Sequence, residues 1–173
     1  MAVNLSPLQF DETDLPQKIE RALNATGVHP RLLELELTES ILMKDTRTSR
    51  QMLQRLKSMG LKIALDDFGT GYSSLSYLQR FPIDTLKIDR SFLKDITKNP
   101  QSGAIVSAII SMSHSLNLEV VAEGVETEEQ AKFLIEHNCD SIQGFYFSRP
   151  LPAKVISGLL HRGKLHPSFR QIA

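Results

Sequence analysis

Asp66 and Asp67 stand side by side at the end of the apolar run Leu61-Lys62-Ile63-Ala64-Leu65, and a glycine-rich turn, Phe68-Gly69-Thr70-Gly71, follows them. Two carboxylates at a strand's end are ready ligands for a hard divalent cation. Strand side chains alternate between faces, so adjacent aspartates in a continuing strand would point apart. If both serve one site, the strand must stop at Asp67 and the chain must turn, which Gly69 and Gly71 allow by accepting positive φ. The same pair also suits a plain turn, with Asp67 near a helix start.

The elements that must position such a pair follow in a regular order. Residues 2–6 read as a strand ended by Pro7, and Pro16 opens a helix with Ile19, Ala22 and Leu23 at helical spacing up to a C-cap at Gly27. In residues 32–38, Leu33, Leu35 and Leu37 share one face while Glu34, Glu36 and Thr38 share the other. A helix over 46–59 carries Met52, Leu53, Leu56 and Met59 and closes at Gly60. After a strand over 62–66 come a short helix over 74–80 with Leu75 and Leu78, and a strand over 85–89. A long helix over 101–116 is striped by Ile105, Ala108, Ile109, Met112 and Leu116. Then come a strand over 119–123 and a helix opened by the Thr127/Gln130 capping box, holding Ala131, Phe133 and Leu134. A strand over 141–144, a helix over 153–160 and a polar tail over 161–173 complete the chain.

Six strand-helix units in strict alternation imply parallel strands joined by right-handed crossovers. Asn4, Glu36, Asp66, Lys87, Glu123 and Gln143 each fall at or near the C-terminal end of a different strand, separated by 32, 30, 21, 36 and 20 positions. An open doubly wound sheet gathers ligands at one switch point, whereas polar tips on all six strands fit a closed α/β barrel. Such barrels have eight units, so about six of eight are expected here, the missing ones at the front, because the chain opens inside a strand. Glu34 sits a layer deeper on the inner face and is expected to be paired there, without a catalytic role.

The totals fit one globular domain: 173 residues, 41% hydrophobic, 23% charged, net charge +0. Balanced charge gives no field for a nucleic acid polymer or an anionic membrane. The lone Cys139 excludes an internal disulfide and a structural thiolate zinc site, and reads as a buried small hydrophobe. The sequence has neither a membrane span nor a signal-peptide pattern, which points to a cytoplasmic segment. None of the five histidines has ligand spacing; His114 lies on a helix, and His29, His137, His161 and His166 lie in loops or at helix ends.

With these residues placed, the sequence resembles the EAL domain, the cyclic-di-GMP phosphodiesterase family of bacterial signalling proteins. The matching segments are Val3-Asn4-Leu5-Ser6, Glu36-Leu37-Thr38-Glu39-Ser40, Asp66-Asp67-Phe68-Gly69-Thr70-Gly71, Lys87-Ile88-Asp89, Glu123-Gly124-Val125-Glu126-Thr127 and Gln143-Gly144-Phe145, in family order. The Glu-Ala-Leu signature of the family's first barrel strand is not among these residues. The resemblance implies a (β/α)8 TIM-like barrel of EAL type, incomplete at the N-terminus, with the EAL domain over residues 1–160.

It also implies hydrolysis of cyclic di-GMP to linear pGpG at a two-metal site. Two divalent metals supply a nucleophile at neutral pH and a clamp for phosphoryl charge, and oxygen ligands suit Mg²⁺ or Mn²⁺. In that picture Asn4, Glu36 and Asp66 hold one metal together with the signature Glu, and Asp66 bridges to a second that Asp67 and Glu123 approach. Lys87 orients or helps deprotonate the attacking water, Glu39 braces the loop from Asp66 to Gly71, Gln143 completes the site and Asp89 lines the substrate groove. The alternatives are an inactive cyclic-di-GMP receptor and a truncated, non-functional fragment. A homodimer and fused or associated sensor or diguanylate cyclase domains are implied partners. Standing alone, these residues are expected to fold poorly and to turn over little substrate.

Overall fold

The structure, a computed structural model, describes residues 1–43, 46–69 and 78–162. Six parallel strands form one sheet in chain order: β1 (Ala2–Asn4), β2 (Glu34–Thr38), β3 (Lys62–Phe68), β4 (Thr85–Ile88), β5 (Glu119–Glu123) and β6 (Ser141–Gln143). The helices are α1 (Pro7–Phe10), α2 (Leu15–Thr26), α3 (Glu39–Met43), α4 (Thr46–Ser58), α5 (Arg90–Leu93), α6 (Pro100–Ser115), α7 (Glu128–Glu136) and α8 (Ala153–Arg162). Each strand pairs with the next in sequence, so every crossover steps the same way and the sheet curls as an arc of a (β/α) barrel.

Alternation along the strands splits the sheet into two chemistries. Leu35, Leu37, Ile63, Leu65, Leu86, Ile88, Val120 and Ala122 are buried with Leu53 and Leu56 of α4, Val106 and Ile110 of α6, and Ala131 and Leu134 of α7 in one core. Each large aliphatic side chain so buried contributes about 1.5–3 kcal/mol of transfer free energy. The opposite, concave face carries polar groups, and Thr85 Oγ1 donates to Glu34 Oε1 at 2.7 Å inside it, the pairing expected for Glu34. Among the described residues no helix is long and apolar enough to cross a membrane.

Several boundaries differ from the sequence reading, each for a local reason. β1 stops at Asn4 because Ser6 and Gln9 form a capping box that starts α1 with Pro7 in its first turn. β2 begins at Glu34 because residues Pro30–Leu32 close a 3-10 turn. On α2 the buried residues are Leu15, Pro16 and Leu23, and Ala22 faces outward. On α6 the buried stripe is Gly103, Val106, Ile110 and Ser113, one position away from the expected one, and Ile105 is 49% exposed. Apolar residues surround that helix, so periodicity alone cannot select its inner face. Cys139 is half-buried; burial pushes its thiol up to about 11 against weaker opposing hydrogen bonds, and its Sγ points at the Ser141 carbonyl, 3.3 Å away. Most of the short helix expected over 74–80, and the tail beyond residue 162, lie outside the described residues.

Candidate active site

The C-terminal ends of four adjacent strands meet on one cation. Glu36 of β2, Asp66 of β3, Lys87 of β4 and Glu123 of β5 all occupy concave-face positions. Lys87 Nζ lies 2.7 Å from Glu36 Oε1, 3.2 Å from Asp66 Oδ1 and 2.6 Å from Glu123 Oε1, and the residue is 5% exposed. Burial alone would lower the pKa of Lys87, but the bonds from Glu123 and Glu36 and the nearby negative charge outweigh it and hold the ammonium well above the ordinary lysine range. Desolvation raises the Glu123 carboxyl despite the attraction of Lys87.

Asp66 and Asp67 share the site by a route other than the one expected. The strand does not stop at Asp67 but runs on to Phe68, with Leu65 opposite Leu86 and Phe68 opposite Ile88. Two residues, Asp66 and Asp67, therefore face the single Lys87, a β-bulge. The left-handed conformation falls on Asp67 itself, at φ 55°, which aspartate tolerates better than most residues, and Gly69 follows at φ 91°. The Asp67 amide donates to Asp66 Oδ1 at 3.0 Å. Burial, then the charges of Asp66 and Asp89, push the Asp67 carboxyl upward.

The other expected residues are placed at graded distances. Asn4, exposed at the end of β1, stands opposite Glu36 across the β1–β2 pair. Gln143 is opposite Glu123, with Nε2 3.5 Å from Glu123 Oε1. Glu39 is buried in the first turn of α3, and the loop it was expected to brace lies partly outside the described residues. Asp89 caps α5 by accepting from the Ser91 amide at 2.9 Å; desolvation would raise its carboxyl, but the bonds from Ser91 and Arg90 hold it below the ordinary range.

Beside this cluster a cleft of about 630 Å³ opens over the ends of β4, β5 and β6, with Asp89, Glu123 and Gln143 in its wall. Arg90, Glu126, Phe145 and Arg149 line it as well, and sequence reasoning missed them. The Arg149 guanidinium lies 4.7 Å from the centre of the Phe145 ring, a cation–π contact. Their signal was position: all lie in the segments that follow strand ends, on the face where parallel barrels carry their sites.

The family model for the EAL domain matches residues 1–150. The chain belongs to the EAL domain family. Over 152 residues it is 50% identical to the signaling protein YkoW of Bacillus subtilis, covering 88% of this chain and 19% of YkoW. It is 49% identical over 154 residues to the bifunctional diguanylate cyclase/cyclic di-GMP phosphodiesterase MucR of Pseudomonas aeruginosa, covering 89% of this chain and 22% of MucR. The chain thus spans about a fifth of the length of these curated relatives. The solved PaMucR phosphodiesterase with bound c-di-GMP superposes with a TM-score of 0.85 at 48% identity, over 90% of this chain and 63% of that one. BlrP1 of Klebsiella pneumoniae, solved with manganese and cyclic di-GMP, gives 0.80 at 37% identity over 86% of this chain and 38% of its own. These EAL structures and the six-stranded arc share the barrel fold.

The donor set of this EAL chain, carboxylate oxygens with one amide nearby, has the chemistry of a hard-cation site. Among the described residues, however, no three of His, Cys, Asp and Glu surround an open point suited to a metal ion. The Lys87 ammonium stands where the carboxylates converge, so a divalent cation must draw oxygens away from it.

Proposed function

We propose that this chain carries residues of a cyclic-di-GMP phosphodiesterase site, whose reaction is the hydrolysis of cyclic di-GMP to linear pGpG, with only weak turnover expected of these residues standing alone. The observation that carries the reading is the convergence of Glu36, Asp66 and Glu123 from three strands on Lys87, beside an open cleft. Asn4, Glu36 and Asp66 would hold one Mg²⁺ or Mn²⁺ together with the family's signature Glu, and Asp66, with Asp67 and Glu123 close by, would serve a second. Bound there, such cations activate water and offset charge on the phosphoryl oxygens. In the reaction a water oxygen bonds to phosphorus as the P–O3′ bond breaks, and the departing 3′ oxygen gains a proton.

Lys87 acts as a hydrogen-bond donor and charge partner in this scheme. Lys87 would orient the attacking water or help deprotonate it, while offsetting the charge of the carboxylates around it. Glu39 braces the loop from Asp66 to Gly71, Gln143 orients the Glu123 carboxylate, and Asp89 lines the substrate groove. Arg90 and Arg149 add positive charge to the same cleft for the substrate's phosphates. The reading places the site in the cytoplasm, in a homodimer, with sensor or diguanylate cyclase domains alongside; the bifunctional relative MucR supports the last point.

A second reading, a receptor that binds cyclic di-GMP without cutting it, is favoured by Lys87 occupying the point of convergence. Chromatography of cyclic di-GMP incubated with the protein and Mn²⁺ or Mg²⁺ separates the two. Metal-dependent pGpG formation, lost in Lys87→Met and Asp66→Asn, is expected. Binding without product would favour the receptor, and neither binding nor product would sink both.

A further inference from the structure

α5 is a single turn, yet it is clamped at both ends. Asp89 caps its start, and the carbonyl of its last residue, Leu93, accepts from Gln130 Nε2 at 2.9 Å. Gln130 is itself buried, and its Oε1 accepts from the Glu126 and Thr127 amides at 2.8 and 3.1 Å. Leu93 is fully buried. A buried amide side chain satisfied on both its oxygen and its nitrogen holds a fixed geometry, so α5 is tied rigidly to the start of α7.

From this clamped turn one side chain covers the turn after β3 and another the turn after β5. The Phe92 ring sits against Gly69, so closely that a Cβ there would lie 2.6 Å from its Cζ and 2.8 Å from Cε2. The Arg90 stem sits against Gly124, where a Cβ would lie 2.5 Å from Arg90 Cβ. Both glycines have positive φ, 91° and 74°, so each turn is held in a shape that other residues rarely adopt. Gly69 lies two residues past Asp67, and Gly124 directly follows Glu123. The turns that carry the acids on either side of Lys87 therefore both bear on α5.

We infer that α5 is a spacer that sets the separation between the Asp66–Asp67 bulge and Glu123, with Phe92 and Arg90 as positioning residues for divalent-cation binding. The inference rests on the phosphodiesterase reading for the existence of the cation site. Neither residue need touch the cation: each acts through the glycine it covers. Residues that orient metal ligands from outside change affinity or activity by about 10–100-fold when replaced, and Phe92→Ala is expected to weaken Mn²⁺ binding within that range. Activity at low Mn²⁺ falls with it and returns at high Mn²⁺, while KM for cyclic di-GMP holds.

The test is calorimetric titration of the whole protein with Mn²⁺ alone, beside melting curves and steady-state kinetics. Gly69→Ala strains its own positive-φ turn as well as displacing the Phe92 ring, so where Phe92→Ala does not fold the milder Phe92→Leu answers the question. Phe92→Leu, which refills part of the space, is expected to recover part of the affinity. An unchanged Mn²⁺ dissociation constant in the variants, with only a lower melting temperature, overturns the inference and leaves Phe92 as core packing. A wild-type protein that binds no Mn²⁺ overturns the cation site itself, and the spacer role with it.

Discussion

Replacing Lys87 with Met keeps an apolar stem between β3, β4 and β5 but removes the charge on which three carboxylates converge. The pairs are 2.6–3.2 Å long, and the side chains are 7% exposed for Lys87 and 11, 12 and 20% for Glu36, Asp66 and Glu123. Water has little room to replace the ammonium. Removing one partner of a buried ion pair costs about 3–5 kcal/mol, and the more open Glu123 side puts the expected loss near 3 kcal/mol. In a domain of this size that lowers the melting temperature by about 6–12 °C. The pH dependence follows from the direction of the shift. Lys87 is raised above its unfolded value, so its contribution is complete below the unfolded lysine value of about 10.4 and fades only as pH rises through the higher folded value. On the acid side, Glu123 is already pushed upward and takes a proton early, so the deficit of the variant narrows as pH falls. Urea unfolding in chelator at several pH values measures the gap, and added Mn²⁺ is expected to recover part of it by supplying the missing charge. A loss under about 1 kcal/mol, the worth of an exposed pair, would refute the reasoning by showing that the cluster is solvated.

Three further outcomes are expected. A Cβ on Gly144 would lie 2.1 Å from the Val125 carbonyl oxygen, a backbone atom that cannot swing away, so Gly144→Ala should cost about 3 kcal/mol or more in urea unfolding; a neutral result would mean that the turn after β6 is packed differently. Asp140 Oδ2 accepts from the Val120 amide and faces His114 Nε2, both at 2.8 Å, and these outweigh desolvation to hold its carboxyl low. Its contribution is therefore present above the unfolded value and lost as pH falls through the folded one: Asp140→Ala should cost about 1 kcal/mol at neutral pH and nothing in strong acid, and a pH-independent difference would count against the contact. Asp67 is raised, so it costs stability above its folded pKa; Asp67→Asn should stabilise the chelated protein at neutral pH, with the gain gone below the ordinary aspartate range, and a destabilised variant would argue against the desolvation and like charge that raise it.

Much of this was legible because alternation is a strict rule. Leu33, Leu35 and Leu37 against Glu34, Glu36 and Thr38 fixed both the helix-packed and the concave face of β2, and capping residues such as Gly27, Thr127 and Gln130 fixed helix ends. The bulge was half legible: the sequence required a turn for both aspartates to reach one site, but insertion against Lys87 depends on the register of β4, a non-local fact. The inner face of α6 was hidden because apolar residues lie on all its sides. α5 was missed because one turn carries no periodicity, although Asp89 is an N-cap type at the right place. Phe145 and Arg149 could be placed over the site only once β6 was seen to end beside β5.

The strictly sequential strand order bears on how the sheet is built in time. Paired residues are separated by as few as 20 positions, as in Val121 with Ser141, and by as many as 34, as in Thr85 with Glu119. No strand waits for a partner from a distant part of the described chain, so loop-closure entropy is met in similar modest instalments rather than in one long step. A nascent chain can therefore zip each strand onto its predecessor as it emerges from the ribosome. The strand-tip residues would then assemble in one order, with Glu36 and Asp66 placed before Lys87 arrives to neutralise them, then Glu123, and Gln143 last.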